Sequence, residues 1–249
     1  MSLLTPEQLA SLARVDSPTV ANVIELFDVR SYLEGFTDHT VKAVYPELPP
    51  VVGYAVTATF RAGQQSEKED AYGGMPRLIE ESQATPAPRI AVIQDLDGIP
   101  KAATYGEVMV SSFQTFGFIG LITSGAARDI EQVRRLRFPC WASSIIVSHG
   151  YCRFIQSQVP VQVAGLEVQP NDLIHADANG VLHIPHSIAP AVAELCEPFM
   201  QAEQIVLDYL HSSRTTPEGY KEAFQRTKAA IAALRTRAHE FLHKDRRST

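Results

Sequence analysis

The sequence is poor in cysteine. Its three cysteines, Cys140, Cys152 and Cys196, are odd in number and far apart, so they form neither a disulfide framework nor the Cys-x-x-Cys pair of a zinc or redox site. They read as structural thiols suited to a reducing cytoplasm, because free cysteine packs as a small buried hydrophobe. Long apolar runs are missing as well: no stretch reaches the roughly 18 uninterrupted apolar residues of a membrane span. The opening MSLLTPEQLASLARVDSPT shows no basic n-region, apolar h-region or small-residue cleavage site. A soluble, unexported, cytoplasmic chain with no membrane partner is expected. There is no Walker loop, Rossmann glycine fingerprint or Gly-x-Ser-x-Gly, which removes the usual support for nucleotide-dependent and serine-hydrolase chemistry. His149, His175 and His183 lack the His-x-x-x-His spacing of a zinc site and are set aside as structural. Internal repeats and low-complexity tracts are absent too.

What is present is an ordinary globular composition, 45% hydrophobic and 20% charged. A chain of 249 residues can bury a sizeable core as one domain, or as one domain with an appendage. Charge is uneven. From His211 onward nine Lys and Arg face four Asp and Glu, so this tail carries +5 of the total −6 and the remainder carries −11. An acidic body argues against general nucleic-acid binding, which needs clustered Lys and Arg. The division expected is a main domain over residues 1–210 and a basic helical extension over 211–249.

Local signals give the order of elements. Thr5-Pro6-Glu7 and Asp16-Ser17-Pro18 each place an N-cap before a proline, predicting two short helices. GYAVTATF, from Gly53 to Phe60, reads as a strand, followed by a polar stretch from Gln64 to Asp70 and then Gly73-Gly74 ahead of a helical run. RIAVIQ, from Arg89 to Gln94, is a buried-strand pattern closed by Asp95-Leu96-Asp97-Gly98. Tyr105, Met109, Phe113 and Phe116 recur at helical spacing, with the helix starting at Gly106-Glu107 and Gly117 as its left-handed cap. Phe118–Thr123 is strand-like, and Asp129-Ile130-Glu131-Gln132 resembles a capping box opening another helix. Short strands then run through PVQVAGLEV and LIHADANGVLHIP. A helix follows to Leu210, with Pro198 as a kink or break. Beyond the linker HSSRTTPEG, Tyr220, Phe224, Ile231, Leu234, Ala238 and Phe241 form an apolar stripe, expected to pack across a subunit interface against the acidic body. The sum is an α/β protein of layered sheets with helices outside.

Chemistry concentrates at GFIGLITSGAARDIEQV, Gly117 to Val133. A strand there enters a glycine-containing turn that ends in Arg128 and Asp129 at a helix start, where α/β folds place ligand sites. Arg offers a planar fork for a carboxylate, and Asp offers the hard oxygen that Mg²⁺ or Mn²⁺ prefers. Asp129 is equally well explained as the N-cap of its own helix. At Gly106-Glu107 the free amides of a first helical turn suit a small anion, although a tight turn with a favourable first-turn charge explains the pair as well. Asp95, Asp97 and Asp177 read as turn formers.

Gly106-Glu107, Gly117-x-x-Gly120, Gly125-x-x-Arg128-Asp129, Pro139-Cys140-Trp141-Ala142 and NDLIHADANGVLHIP, in that order, resemble the RraA-like family over roughly Leu12 to Leu210. That family holds the class II 4-hydroxy-4-methyl-2-oxoglutarate aldolases, oxaloacetate decarboxylases and the regulator of ribonuclease E activity A. The resemblance implies a swivelling β/β/α domain in an αββα sandwich, with a C-terminal helical extension added here, assembled as trimers or hexamers. It makes Asp129 the ligand of Mg²⁺ or Mn²⁺, Arg128 the contact to a small 2-keto acid, and the amides of Glu107, Val108 and Met109 after Gly106 the cradle for its carboxylate. Glu203, from a neighbouring subunit, matches the family's further acid/base group. The implied activity is carbon–carbon lyase chemistry through a pyruvate enolate, with a non-catalytic regulator that binds a ribonuclease as the alternative. The chain departs from the family's usual Asp-Gly at Ser124-Gly125, a position that bears on substrate choice.

Overall fold

A computed structural model describes residues 3–65 and 72–245, so most of the polar stretch from Gln64 to Asp70 lies outside the described residues. Two compact units form: Met1–Tyr32 with Pro185–Thr249, and Leu33–Ile184. The first begins with α1 (Pro6–Leu12) and α2 (Ser17–Glu25). Both start as their sequences dictate. Thr5 and Gln8 make a reciprocal capping box, and the Asp16 carboxylate accepts the Thr19 amide at 3.1 Å.

The second unit contains β1 (Lys42–Ala43), β2 (Val51–Arg61), α3 (Met75–Ser82), β3 (Arg89–Asp95), β4 (Ala103–Tyr105), α4 (Glu107–Thr115) and β5 (Phe118–Thr123). It continues with β6 (Ala126–Ala127), α5 (Ile130–Arg135), β7 (Cys140–Ala142), β8 (Ser144–Ile145) and β9 (Arg153–Ser157). The hairpins β10 (Val161–Val163) with β11 (Leu166–Val168) and β12 (Leu173–Asp177) with β13 (Gly180–Ile184) complete it. The main sheet runs β1-β7-β5-β3-β2-β12-β13, with β9 also paired to β2. Its centre, β2, β3, β5 and β7, is parallel, and the helices that parallel strands require cross over between them.

Side chains alternate between two cores. Val56, Ala58, Phe60, Ala91, Ile93 and Leu121 face α3, α4 and α5, packing on Leu78, Val110, Phe113 and Val133. Val51, Ala55, Ile90, Val92, Ile122 and Trp141 face the hairpin, packing on Val161, Val163, Leu166 and Val168. Hairpin, sheet and helices thus stack as β/β/α layers, because strands buried on both faces read as nearly continuous apolar runs. The α/β architecture matches the expectation.

A second, parallel sheet of β4, β6 and β8 sets up the site. β5 continues into β6 through Ser124-Gly125, and β7 into β8 through Ser143. The Ser143 amide and hydroxyl both donate to the Gly125 carbonyl, at 3.0 and 2.9 Å. Only glycine fits at 125: a Cβ there would lie 1.9 Å from Thr104 Oγ1 and 2.8 Å from Asp95 Oδ2.

The chain then returns to the first unit through α6 (Ala189–Leu210) and α7 (Pro217–Asp245). α6 runs unbroken through Pro198. The Tyr209 hydroxyl accepts the Thr216 amide at 2.6 Å and donates to the Thr216 carbonyl at 2.9 Å, tying down the linker. α7 packs on α6 of its own chain. The apolar stripe is redistributed. Ala223, Thr227, Leu234 and Ala238 are buried, while Tyr220 and Phe224 stay exposed and rest on each other, ring centroids 5.9 Å apart. Small residues bury first because they let two helices approach closely. Among the basic residues of this tail, Arg235 chelates Asp28 at 2.7 and 2.8 Å and His239 joins it at 3.2 Å. Among the described residues no helix is long and apolar enough to cross a membrane.

Candidate active site

Pairing of Tyr105 with Ala127 across β4 and β6 brings Gly106 beside Arg128 and Asp129. Asp129 precedes α5 in left-handed geometry, φ 54° and ψ 44°, a conformation that Asp tolerates better than most residues. Its carboxylate makes no cap bond to α5. Instead Oδ2 accepts the backbone N–H of Glu107, the first residue of α4, at 3.0 Å, and lies 3.8 Å from Arg128 Nε. The capping-box reading of Asp129 to Gln132 is therefore corrected: Asp129 caps a helix 22 residues away. The Val110 amide is the first to bond within the turn, to the Gly106 carbonyl at 3.1 Å. With Glu107 N–H taken, the amides of Val108 and Met109 are those that precede the helical bonding pattern.

Gly106 is extended, at φ −151°, so its backbone does not call for glycine. Space does. A Cβ there would meet Asp129 Oδ2 at 2.4 Å and Arg128 Nε at 3.0 Å. Arg128 is held from a second direction, since its Nη2 donates to the Tyr72 hydroxyl at 2.8 Å. The Tyr72 ring lies against His149, with centroids 5.6 Å apart. Neither Tyr72 nor His149 stands out by spacing. Tyr72 is only the residue ahead of a Gly-Gly helix lead-in.

Beneath the turn lies a buried polar cluster. Thr123 Oγ1 donates to Thr104 Oγ1 at 3.3 Å, and the Gly125 amide donates to Thr123 Oγ1 at 2.9 Å. Ser124 Oγ accepts the Asp95 amide at 2.9 Å. Asp95 accepts the Asp97 amide on Oδ1 at 2.9 Å, the turn role expected of it, while its buried Oδ2 has no partner among the described residues. Burial pushes the Asp95 carboxyl above the usual carboxylate range, opposed by the Asp97 amide bond, reinforced by the Asp97 charge and opposed by Arg61. A carboxyl whose folded pKa is raised stabilises the fold at low pH, and that contribution is lost as pH rises from the unfolded value through the folded one. Asp95→Asn keeps the acceptor for Asp97 and removes the charge. It is expected to melt above the wild type at pH 7–8, by an amount that shrinks toward pH 4. A melting difference that stays constant over this range would refute the assignment.

The remaining site candidates lie elsewhere. Glu203 is on α6, in the unit built from both chain ends, where burial and then the Asp16 charge push its carboxyl up. All three cysteines are buried; burial pushes the Cys140 thiol far up and that of Cys196 to about 12. Such thiols supply no thiolate for catalysis near neutral pH. Among the described residues no three His, Cys, Asp or Glu come together to cage a metal. Mg²⁺ and Mn²⁺ need no cage, because one carboxylate with waters and substrate oxygens holds them. Asp129 fits that role: its contacts to Glu107 and Arg128 both use Oδ2, leaving Oδ1 on a side chain 33% exposed.

The Arg-Asp pair thus lies at the carboxyl end of a parallel sheet, over a glycine at a helix N-terminus, the place where α/β folds put ligand sites. The sequence matches the model of the RraA-like family, described as Aldolase/RraA, over residues 20–183, and the chain belongs to that family. The "Putative 4-hydroxy-4-methyl-2-oxoglutarate aldolase" of Halalkalibacterium halodurans is 28% identical over 178 residues, covering 70% of this chain and 79% of that one. Protein DlpA of Legionella pneumophila is 29% identical over 97 residues, a match to 38% of this chain that spans only 16% of DlpA. Among solved structures, Streptomyces coelicolor RraAS2, an unusual member of the RNase ES inhibitor RraA protein family, superposes with a TM-score of 0.65 at 24% identity. That match covers 82% of this chain and 97% of RraAS2. An uncharacterized protein from Pseudomonas syringae pv. tomato gives 0.71 at 18%, covering 90% and 95%. Both share the fold.

Proposed function

We propose that this protein is a divalent-metal-dependent lyase that cleaves the C3–C4 bond of a small 2-keto acid, of the 4-hydroxy-2-keto diacid aldolase or oxaloacetate decarboxylase type. The observation that carries the reading is the convergence of the Asp129 carboxylate and the Arg128 guanidinium over Gly106 at the α4 N-terminus. The similarity to a relative named for aldolase activity supports it.

Arg128 binds the C1 carboxylate of the substrate, and the Val108 and Met109 amides add donors at the positive end of α4. Asp129 would hold Mg²⁺ or Mn²⁺, which supplies Lewis acidity toward the C2 carbonyl. When the C3–C4 bond breaks, its electron pair moves to the C2 oxygen, leaving a pyruvate enolate; a C4 carboxylate departs as CO₂, whereas a C4 hydroxyl gives its proton to the proton carrier as the fragment departs as an oxo acid. The Arg128 charge stabilises that developing negative oxygen more strongly than the ground state. Protonation at C3 completes pyruvate. Glu203 of a second copy in a trimer or hexamer is the proton carrier of this scheme, since a carboxyl with a raised pKa holds its proton closer to neutral pH.

Purified protein should release pyruvate from oxaloacetate or from 4-hydroxy-4-methyl-2-oxoglutarate with Mg²⁺ or Mn²⁺, and EDTA should stop it. Release no faster than with metal alone, for both acids, refutes the lyase reading and favours a regulatory protein.

A further inference from the structure

We infer that Tyr72 is a positioning residue for Arg128, holding its guanidinium in the orientation that meets the substrate; the inference rests on the lyase reading above. A guanidinium offers a side edge, Nε with one Nη, and an end edge formed by its two Nη groups. Here two of the three nitrogens are engaged. Nε faces Asp129 Oδ2 at 3.8 Å, and Nη2 donates to the Tyr72 oxygen at 2.8 Å. Nη1 takes part in neither contact, so a carboxylate can meet it while Nε and Nη2 hold the plane of the group.

Tyr72 is itself held in place. Its amide donates to the Cys152 carbonyl at 2.7 Å, the following Gly73 accepts the Phe154 amide at 2.9 Å, and Met75 donates to the Tyr72 carbonyl at 3.2 Å. These bonds stitch the segment to the start of β9 and keep Tyr72 at φ +67°, a conformation costly for an aromatic residue that persists only where the surroundings over-determine it. The ring is backed by His149. His149 Nδ1 lies 2.7 Å from the Gly150 carbonyl, which only accepts, so Nδ1 carries the proton and the imidazole is anchored in turn. Burial raises the Tyr72 pKa, the Arg128 charge opposing it. The phenol therefore keeps its proton while its oxygen accepts from Arg128.

The test uses oxalate with Mg²⁺ as a planar analogue of the enolate, titrated calorimetrically into full-length wild type and Tyr72→Phe, together with kcat and KM for oxaloacetate. Phe keeps the ring against His149 and removes only the oxygen. Oxalate affinity is expected to fall about ten- to hundredfold, the scale of a hydrogen bond to a charged group. KM should rise in step, kcat should fall as well because Arg128 also steadies the enolate oxygen, and melting should be unchanged. A purely packing role for Tyr72 would leave affinity and KM unmoved, and that result overturns the inference while the lyase reading stands. A wild type that binds no Mg²⁺–oxalate and cleaves no keto acid overturns both.

Discussion

Gly106→Ala should reduce metal-dependent pyruvate release by about two orders of magnitude or more, while the protein stays folded. The added methyl would sit 2.4 Å from Asp129 Oδ2 and 3.0 Å from Arg128 Nε, both atoms near the ends of side chains that can swing aside. The fold thus escapes most of the clash, and the site absorbs it. Alanine adopts the extended φ of −151° without strain, so no backbone penalty confuses the result, and a glycine-to-alanine change at an N-cap costs only about 0.5–1 kcal/mol. Displacing a substrate-binding cation by about 1 Å is enough to cost roughly a hundredfold in rate. Pyruvate release and a urea melt on the same preparation check both halves. Full activity in Gly106→Ala would show that Asp129 and Arg128 do not act from the positions they occupy over α4.

Where neighbours along the chain decide the structure, the sequence is readable. Thr5 and Asp16 cap their helices, Gly117 ends α4 with φ +83°, and the alternation along β2 and β3 sorts side chains between the two cores. Pairs distant in sequence escape this reading. Asp129 before a helix has every local mark of that helix's own cap, and only the pairing of β4 with β6 turns its carboxylate to the α4 N-terminus. Tyr72 reaches Arg128 across 56 residues, and no spacing rule links them. On α7 the aromatic residues outweigh Ala223 and Thr227 in any apolar pattern, yet close approach to α6 buries the small side chains and leaves Tyr220 and Phe224 at the surface. The ordered family motifs reached further than local physics: they grouped Arg128 and Asp129 with the α4 start at Gly106, and the structure brings these residues side by side.

Asp129→Asn and Asp129→Ala separate the two jobs assigned to this carboxylate. Asparagine retains an oxygen to accept the Glu107 N–H, and with aspartate it is among the residues most tolerant of the left-handed φ of 54° seen here. It loses the negative charge that a hard divalent cation draws from this carboxylate. Asp129→Asn is therefore expected to melt within a few degrees of the wild type and to lose at least about 99% of Mg²⁺-dependent turnover, a transition-state loss of roughly 2.7 kcal/mol or more. Alanine removes the cap as well, at about 0.5–2 kcal/mol, and pays a further cost of roughly 1–2 kcal/mol for left-handed backbone. Asp129→Ala should thus be equally inactive and distinctly less stable, so activity groups the two variants together while stability splits them. Pyruvate release and urea melts of all three proteins test this. If Asp129→Asn turns over oxaloacetate with Mg²⁺ at half the wild-type rate, Asp129 is a helix cap and nothing more, and the metal has to be sought elsewhere in the chain.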